Sequence, residues 1–501
     1  MVQGNCAAKG NGKGNHGGGS RRPSSHRSRK CNLNRNGNDG RKTQQPGTKQ
    51  AQDSIKEEGA EEDEVENYEP FPRLDKKHQQ IILNIFRDTF SDVLFSDTFT
   101  STLQAVKQAL YEREFAKAFG DPEYLAVYAT RWSPTRALCY SSILGGIGKH
   151  LDGVIVQEEE EGVEVQQEEP KAIVSEKTTT TTEETETTTK DEATEEEDSL
   201  TSQTANLSLS PSQKTTTTVV PKLNILSIGG GPAELVALGS FLSQQTTTPS
   251  SQSSPILRGS ITLLDSAPYG PLLTLLERSL TVTPPISKYA SAAAKAANVP
   301  LLSPSSRISS QFIQRDALEL GKEGFTSVLG DMQQQKGKDV PVPVPVPVPV
   351  LATLLFTLNE LFTCSGIGLT TKFLLDLTAS LSVGSLLLVV DSPGSYSETA
   401  VGKDKDASKK YPMAWLLDRV LLAADPKTGK ATAVVEGRKW KKLETRKSSW
   451  FRLAEGRGGE PGLDYPIGLE NMRYQLHLYR LVDADAPEEE SEEEGSGSDE
   501  R

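Results

Sequence analysis

The sequence predicts an α/β protein built on a doubly wound, mostly parallel sheet. Two observations support this fold class. From residue 223 onward, short apolar runs that suit buried strands alternate with segments of helical periodicity. The first of these strands also ends in three consecutive glycines, Gly229, Gly230 and Gly231, and a helical pattern begins directly after them. A strand, a glycine turn and a helix N-terminus in this order are typical of a nucleotide-binding loop.

The centre of the predicted sheet is a series of five strands joined by helices. The first strand ends at Ile228, and Pro232 suits the first turn of the next helix because its missing N–H costs nothing there. Helices are also expected from about residue 269 and over 369–381. The other four strands are predicted at 261–265, 312–316, 351–358 and 385–390.

Two more strands are predicted near the C-terminus, at 449–453 and 473–480. The second alternates strictly between polar and apolar residues, which predicts a strand with one face in water.

A helical block precedes the sheet. Apolar residues at helical spacing predict helices over 78–95 and 100–119, and Gly120, Asp121 and Pro122 are expected to end the second one. The following stretch, 124–140, is rich in aromatic residues and arginine, and we expect it to form a helix, a loop and a second helix. We therefore predict a helical N-terminal extension over residues 70–152.

Three segments are too polar and too strongly charged to fold alone. Residues 1–69 start as a basic arm, with eleven Lys or Arg and one acid in the first fifty positions, and then become acidic. Residues 153–220 form an acidic and Thr-rich linker, and 483–501 form an acidic tail. We expect all three to be disordered, because they bury too little apolar surface to offset the entropy of ordering.

The net charge of −13 is unevenly divided. Residues 1–50 carry +10, while 51–69, 155–200 and 483–501 together carry −31, which leaves about +8 for all other residues. The foldable part of the chain is therefore mildly basic, and it permits an RNA partner despite the acidic total.

Other function classes are disfavoured by composition. The four cysteines are far apart and form no CxxC pair, and the five histidines are scattered, so we expect neither disulfides nor a metal site. The N-terminus has no apolar core of the kind found in secretory signals. Residues 340–358 are apolar, but five Pro-Val repeats over 341–350 exclude a membrane helix and predict an extended linker.

Polar sites follow the predicted strands in an order that suits S-adenosylmethionine. In doubly wound sheets, ligands bind beyond the carboxyl ends of the strands. There the glycine turn lets the methionine part of the cofactor approach the backbone. Asp265 ends the second strand and can accept both ribose hydroxyls, while Asp316 ends the third and can accept the adenine amino group. Asn359 and Glu360 follow the fourth strand, where the methyl group and its acceptor would lie.

A dinucleotide-dependent oxidoreductase is the rival interpretation, since it also begins with a strand, glycines and a helix. The third glycine of its G-x-G-x-x-G pattern would fall at position 234, where this chain has Glu234. A carboxylate there would repel a pyrophosphate, which favours S-adenosylmethionine. The predicted final strand at 473–480 also suits methyltransferases, whose sheets end with an antiparallel strand.

The chain resembles the fungal 25S rRNA uridine-N3 methyltransferases. The resemblance covers roughly residues 70–152 and 221–482, and it implies a Rossmann-like class I methyltransferase fold that methylates a uracil N3 in ribosomal RNA. It also implies cofactor contacts at Gly229, Gly231, Asp265 and Asp316. The motifs that carry it are YATRWSPTR (128–136), IGGGPAELVA (228–237), LFTLNELF (355–362), LDYPI (463–467) and ENMRYQLHLYR (470–480).

Uracil N3 carries an imide proton, so its lone pair becomes a good nucleophile only after that proton has left. The reaction needs alignment with the sulfonium methyl and a proton acceptor within hydrogen-bond reach. We predict Glu360 as the base and Asn359 as a partner of the base edge, with Asp391 as a second choice of base. The alternative is that Asn359 and Glu360 only cap the helix that follows.

Arg131, Trp132 and Arg136 are the predicted RNA-binding residues. The two arginines can pair with phosphates while Trp132 stacks on an unpaired base. The alternative is a lid, in which the aromatic residues pack on the catalytic domain and the arginines stabilise a helix.

Together these observations predict a methyltransferase domain over 221–482, with low-complexity insertions, that binds S-adenosylmethionine and no metal or membrane. The expected partner is large-subunit rRNA or a pre-ribosomal particle. The expected compartment is the nucleolus or nucleus, with the cytoplasm as the alternative, and no oligomeric state is predicted. Two other hypotheses stay open: a non-catalytic ribosome-assembly factor with the same fold, and an NAD(P)-dependent oxidoreductase.

Overall fold

The structure, a computed structural model, describes residues 68–163, 215–245, 256–333, 348–394, 398–401, 409–422, 432, 434–456 and 461–485. The basic arm, most of the Thr-rich linker, the Pro-Val repeats and the acidic tail lie outside these ranges, so their predicted disorder stays a prediction. No helix in the described part of the chain is long and apolar enough to cross a membrane.

Within the described ranges, ten strands form one large sheet and one small hairpin. Their bounds are β1 Ile155–Val163, β2 Thr215–Ile228, β3 Arg258–Asp265, β4 Ile308–Gln314, β5 Leu351–Leu355, β6 Leu386–Asp391, β7 Glu398–Val401, β8 Lys409–Pro412, β9 Arg438–Phe451 and β10 Met472–Asp483.

The helices precede the sheet and connect its strands. Their bounds are α1 Lys76–Thr89, α2 Ser91–Leu94, α3 Phe99–Tyr111, α4 Phe115–Gly120, α5 Pro122–Gly146, α6 Gly148–Leu151, α7 Pro232–Gln244, α8 Gly270–Thr281, α9 Ala292–Ala297, α10 Gly321–Gln333, α11 Leu358–Glu360, α12 Ile367–Ser380 and α13 Met413–Leu421.

The strand order of the large sheet is β4-β3-β2-β5-β6-β10-β9. Strands β2 to β6 are mutually parallel, and β10 lies antiparallel between β6 and β9. The chain moves outward from β2 to β4 and then returns to the other side of β2 to form β5. The carboxyl ends of β2 and β5 therefore flank the topological switch point, where doubly wound sheets bind their ligands.

Helices cover both faces of the sheet. On one face α5, α7 and α8 pack on Ile225, Ile261 and Leu388, and on the other α10, α12 and α13 pack on Leu226, Leu264 and Val389. All residues of β5 and β6 are buried, as expected of parallel strands with helices on both sides. The predicted α/β fold and its five parallel strands are confirmed.

The N-terminal extension differs from its prediction in one helix. Residues 124–140 do not form two helices with a loop between them, because α5 runs unbroken through Pro134. This helix is buried along most of its length against α7 and the sheet. Tertiary packing thus outweighs the local cost of a proline inside a helix. As predicted, the preceding helix ends at Gly120, and Asp121 and Pro122 also begin α5, where the Asp121 carboxylate accepts the Glu123 and Tyr124 N–H groups.

Smaller differences concern element ends. The two predicted N-terminal helices are each interrupted, at Phe90 and near Arg113, whose φ of 58° no α-helix accommodates. The predicted linker 153–220 begins and ends in strands, since β1 pairs with β2. The strand predicted at 312–316 was placed too far along the chain: β4 begins at Ile308 and ends at Gln314, two residues before Asp316.

The prediction of one solvent-exposed face on the last strand was wrong. Residues 474–479 of β10 are all buried, because β10 is an inner strand with an apolar core on each face: Leu476 and Leu478 pack in one core, and Tyr479 and Leu481 pack in the other. Its polar residues satisfy one another instead, as where His477 Nε2 lies 3.0 Å from Gln475 Oε1.

Candidate active site

The glycine turn lies at the carboxyl end of β2, against the loop that follows β5. Gly229 has a φ of 70°, in the region that favours glycine, and its N–H donates to the Leu264 carbonyl across to β3 at 2.8 Å. A Cβ at this position would lie 2.5 Å from Thr357 Oγ1. A Cβ at Gly230 would lie 2.3 Å from Ser227 Oγ. Both positions therefore require glycine on steric grounds.

Glu234 closes the N-terminus of α7. Its Oε2 accepts the Gly231 N–H at 2.7 Å, and the residue is buried. Burial raises the pKa of this carboxyl. The amide that a pyrophosphate would use in a dinucleotide-binding loop is thus occupied by a side chain of the protein.

The two predicted cofactor acids lie beyond the next strands of the sheet. Asp265, the last residue of β3, is completely buried, and the Ala267 N–H fixes its carboxylate through a 2.7 Å bond to Oδ1. Asp316 is half-buried in the turn after β4, where its Oδ1 accepts the Leu318 N–H at 2.9 Å. Burial raises the pKa of both carboxyls.

The loop after β5 is strained where it enters the site. Phe356 has a φ of 57°, unusual for a residue with a bulky side chain, and its N–H donates to the Val390 carbonyl at 2.7 Å. The chain continues into α11, which contains Asn359 and Glu360, and then into a π-helical turn over 361–365. Such π-turns are frequent at functional sites.

Glu360 and Asp391 place two acids at the ends of β5 and β6. Asp391 Oδ2 accepts the Asn359 N–H at 3.0 Å, which ties the α11 turn to the end of β6. The Glu360 Oε2 atom is buried and has no hydrogen-bond partner among the described residues. Burial raises the pKa of Glu360 to about 7, and the negative charge of Asp391 adds to the rise. Burial also raises the pKa of Asp391 to about 6.

Arg136 brings a positive charge from α5 to these acids. Its Nη1 donates to Tyr128 Oη at 2.6 Å, and its Cζ lies 5.2 Å from the centroid of the Phe356 ring. Its charge acts on Glu360 and Asp391 and opposes the rise that burial causes in the pKa of each. The strained loop therefore places the Phe356 ring against the Arg136 guanidinium, near the end of β5.

The other two predicted RNA-binding residues make packing contacts. Arg131 is buried, and its Nη2 lies 2.5 Å from Glu470 Oε1. Trp132 is half-buried, and its ring centroid lies 4.9 Å from that of Tyr128. These contacts are those of the lid interpretation, while RNA binding by Arg131 and Trp132 stays a prediction.

The structure thus brings the predicted glycines, Asp265, Asp316, Asn359 and Glu360 to one edge of the sheet. Sequence reasoning did not assign Arg136 to this edge, because its arrival depends on α5 packing beside α7. It also missed the role of Phe356, for which the sequence gives no signal. Among the described residues, no group of three or more His, Cys, Asp or Glu side chains is placed to hold a metal ion.

The residues present fit S-adenosylmethionine. Gly229 forms a left-handed turn without a side chain at the switch point, and the buried Asp265 carboxylate offers a fixed acceptor at the end of the next strand. The strand order, with an antiparallel strand inserted between the last two parallel ones, is that of a Rossmann-like class I methyltransferase. The fold and the site therefore define an S-adenosylmethionine-dependent methyltransferase.

Comparison with known proteins gives the family. Residues 86–480 match the family described as "Putative SAM-dependent methyltransferase", and the chain belongs to this family. A curated relative is the 25S rRNA (uridine(2843)-N(3))-methyltransferase of Saccharomyces cerevisiae. It is 26% identical over 418 residues, which are 80% of this chain and 85% of the relative.

Solved methyltransferases also align with the chain. A SAM-dependent methyltransferase of Methanosarcina mazei is 13% identical, and the alignment covers 52% of this chain and 92% of that one, with a TM-score of 0.20. The N-methyltransferase NodS of Bradyrhizobium japonicum is 11% identical, with 52% and 86% covered and a TM-score of 0.20. The fold assignment rests on the strand order and not on these two alignments.

Proposed function

We propose that this protein methylates N3 of a uridine in large-subunit rRNA. The single observation that carries the proposal is the Glu360 carboxyl, whose buried Oε2 lacks a hydrogen-bond partner among the described residues. It lies at the end of β5, next to the switch point, where an acceptor would meet the cofactor. The S. cerevisiae relative, named for the same reaction on 25S rRNA, supports the choice of substrate.

The proposed cofactor-binding roles follow from the positions of the residues along the carboxyl edge of the sheet. We assign the methionine part to the turn at Gly229, Gly230 and Gly231, the ribose hydroxyls to Asp265, and the adenine amino group to Asp316. S-adenosylmethionine, when bound, supplies an electrophilic methyl group on a sulfonium centre. The protein has to hold the acceptor in line with that methyl and remove one proton.

We assign the removal of the N3 proton to Glu360. Removal of the N3 proton by its Oε2 would leave a nitrogen lone pair free to take the methyl group that bound S-adenosylmethionine would supply. A carboxyl with a pKa near 7 suits this task, because it is ionised at neutral pH and still basic enough to accept a proton. Asn359 is the proposed partner of the base edge, and Asp391 holds the turn that carries both residues.

Arg136 has a proposed role that differs from phosphate binding. The negative charge left on a deprotonated uracil spreads from N3 onto its two carbonyl oxygens. A guanidinium facing Glu360 can stabilise that charge with little reorganisation, as preorganised donors do in other active sites. We therefore place Arg136 beside the target base and not on the RNA backbone.

The substrate is rRNA, free or within a pre-ribosomal particle, so we propose that the protein acts in the nucleolus or nucleus. The basic arm, with its charge of +10 over residues 1–50, would add electrostatic affinity for RNA in that compartment.

The experiment is transfer of a labelled methyl group from S-adenosylmethionine to rRNA taken from cells that lack this protein. Nucleoside analysis by mass spectrometry should find the label in 3-methyluridine, and Glu360→Gln should abolish most of it. Label in another nucleoside would contradict the assigned atom. Absence of label on both free rRNA and assembly intermediates, with intact cofactor binding, would favour the non-catalytic assembly factor.

A further inference from the structure

The outermost strand of the large sheet, β9, has an unusual set of exposed side chains. Within this strand the three exposed positions are Lys441, Lys447 and Trp450. Trp450 is 53% exposed, a large fraction for so bulky an aromatic side chain, and it lies at the end of the strand. Exposed tryptophan flanked by basic residues is the composition of surfaces that bind single-stranded nucleic acid.

Two arginines lie beside Trp450. The Arg452 Cζ is 5.2 Å from the centroid of the Trp450 ring. Arg473 is the cross-strand partner of Trp450 in the pairing of β9 with β10, and its Nε donates to Ser448 Oγ at 2.8 Å. Arg452 and Arg473 are both exposed. We call Trp450, Arg452 and Arg473 the tryptophan platform.

The strand register connects the platform with the active site. Asp391, at the end of β6, pairs with Gln475 of β10, and Arg473 lies two residues further along β10. Successive residues of a strand alternate between faces, so Arg473 and Gln475 share one face with their partners Trp450 and Asp391. From Asp391 to Trp450 the path crosses two strand spacings, from β6 to β10 and from β10 to β9, and runs two residues along β10. These steps place the platform roughly 12 Å from Asp391. This distance is of the order of two nucleotide steps along an extended RNA strand.

The chemistry of the platform selects its partner. An indole face stacks on any base, and two guanidinium groups at its border can contact the phosphates on either side of that base. A protein partner would gain little from this arrangement, because the platform combines one aromatic ring with positive charge and no wider apolar area. Charge complementarity therefore favours a polyanionic strand.

We infer that the tryptophan platform binds an unpaired nucleotide of the substrate RNA that flanks the target uridine. The inference rests on the proposed function in so far as RNA is the substrate. It moves the predicted RNA contact from Arg131 and Trp132, which are engaged in packing, to the edge of the sheet on the same side as the proposed base. The target uridine would then lie unstacked over Glu360 while its neighbour stacks on Trp450.

The test uses the full-length protein and a short fluorescein-labelled oligouridylate, with affinity measured by fluorescence anisotropy. Trp450→Ala should weaken binding about tenfold or more, the size of one lost base–aromatic stack, while Trp450→Phe should keep most of the affinity. Arg452→Ala should weaken binding and reduce the slope of log affinity against log salt by about 0.7. Calorimetry with S-adenosylhomocysteine should give the same affinity for all variants, since none of them touches the cofactor residues.

Tyr289→Ala is the matched control. Tyr289 is 84% exposed and has the Lys288 ammonium 5.0 Å from its ring centroid, so it offers a similar aromatic and cationic pair. It lies on the connection from α8 to the beginning of β4, which belongs to the opposite edge of the sheet. Its removal should leave oligouridylate binding unchanged.

Labelled methyl transfer to rRNA, measured in parallel, separates the two proposals. One outcome is that Trp450→Ala binds oligouridylate more weakly while the wild type transfers no methyl group. This outcome would contradict the proposed reaction but not the platform. Normal transfer with an unchanged KM for rRNA in Trp450→Ala would overturn the platform alone, as would failure of the wild type to bind oligouridylate. A Trp450→Ala variant that loses only its binding to pre-ribosomal particles would also overturn it, because the surface would then contact a protein.

Discussion

The Tyr465 hydroxyl donates a 2.9 Å hydrogen bond to the carbonyl of Thr130. This carbonyl lies four residues before Pro134, and proline has no N–H with which to close the usual helical bond. A side chain from the C-terminal segment thus replaces the bond that the proline removes from α5. Because α5 carries Arg136, the same contact stabilises the helix that delivers a cation to the site.

Tyr465→Phe should therefore destabilise the protein by about 1–2 kcal/mol, the cost of leaving a carbonyl without its partner inside a packed region. Urea denaturation followed by circular dichroism measures this change. The matched background is Pro134→Ala, which restores an N–H that can donate to Thr130. If Tyr465→Phe lowers the free energy of unfolding as much in that background as in the wild type, the Tyr465 hydroxyl does not replace the helical hydrogen bond that Pro134 removes.

The same helix shows where sequence reasoning reached its limit. The segment 124–140 contains a proline and few signs of amphipathic periodicity, so a break was the natural local prediction. Burial on nearly all sides removes the periodicity, and a partner more than 300 residues away supplies the missing hydrogen bond. By contrast, β3, β5 and β6 were predictable because they are runs of mostly apolar residues, whereas the more polar β4 and β9 were predicted too far along the chain.

Asp265→Ala should weaken the binding of S-adenosylhomocysteine by about tenfold to a hundredfold, because charged acceptors of two ribose hydroxyls are lost. Calorimetry measures the affinity, and thermal unfolding without ligand controls for damage to the turn that Asp265 holds through Ala267. Asp316→Ala should have a smaller effect, since that carboxyl is only half-buried. Equal affinity of Asp265→Ala and the wild type would exclude the ribose assignment.

The candidate site was predictable as far as strand ends determine it. Gly229, Asp265 and Glu360 stand at positions where a parallel sheet gathers polar groups, and the structure brings them to one edge. Arg136 was not predictable there, because its place depends on how an element outside the sheet packs. The hydrogen bond from the Asn359 N–H to the Asp391 carboxylate was not predictable either, because it joins the ends of two strands whose loops differ in length.

The rate of methyl transfer should depend on the ionisation of Glu360. With its pKa at about 7, the carboxylate is lost as the pH falls, so the single-turnover rate should rise with pH and level off above 7. Glu360→Gln should lower the rate by about 10²- to 10⁴-fold and remove this step from the profile. A pH profile identical in Glu360→Gln and the wild type would assign the base to another residue, with Asp391 as the first to test.

Glu360→Gln should also change stability in a pH-dependent way. Folding raises the pKa of Glu360 from its ordinary 4.5, so the folded state binds the proton more tightly than the unfolded one. Below pH 4 the carboxyl is neutral in both states, and the substitution should have little effect. As the pH rises past 7, the folded wild type bears the full cost of a buried charge, and the variant should be more stable by about 3 kcal/mol. Thermal unfolding at pH 4 and pH 8 measures the difference, and an equal shift at both would contradict the burial of this charge.

Arg136→Met should lower the rate constant of methyl transfer by about a hundredfold, as loss of one preorganised donor to a developing anion does in other enzymes. The affinity for S-adenosylhomocysteine should stay within a factor of two of the wild type. The midpoint of the pH profile should move to higher pH, because the Arg136 charge opposes the rise in the pKa of Glu360. Tyr128→Phe, which removes only the hydroxyl that Arg136 donates to, is the control and should retain most of the rate.

Binding of a second ligand shows which of two anions Arg136 contacts, the uracil anion or the methionine carboxylate. 5′-Methylthioadenosine shares the nucleoside of the cofactor but has no carboxylate. If Arg136 holds the uracil anion, Arg136→Met should leave the ratio of the affinities for S-adenosylhomocysteine and 5′-methylthioadenosine unchanged while the rate falls. If the variant instead loses its preference for S-adenosylhomocysteine and keeps the position of the pH midpoint, the guanidinium binds the methionine carboxylate. That result would remove Arg136 from the chemistry on uracil and leave Glu360 as its proposed base.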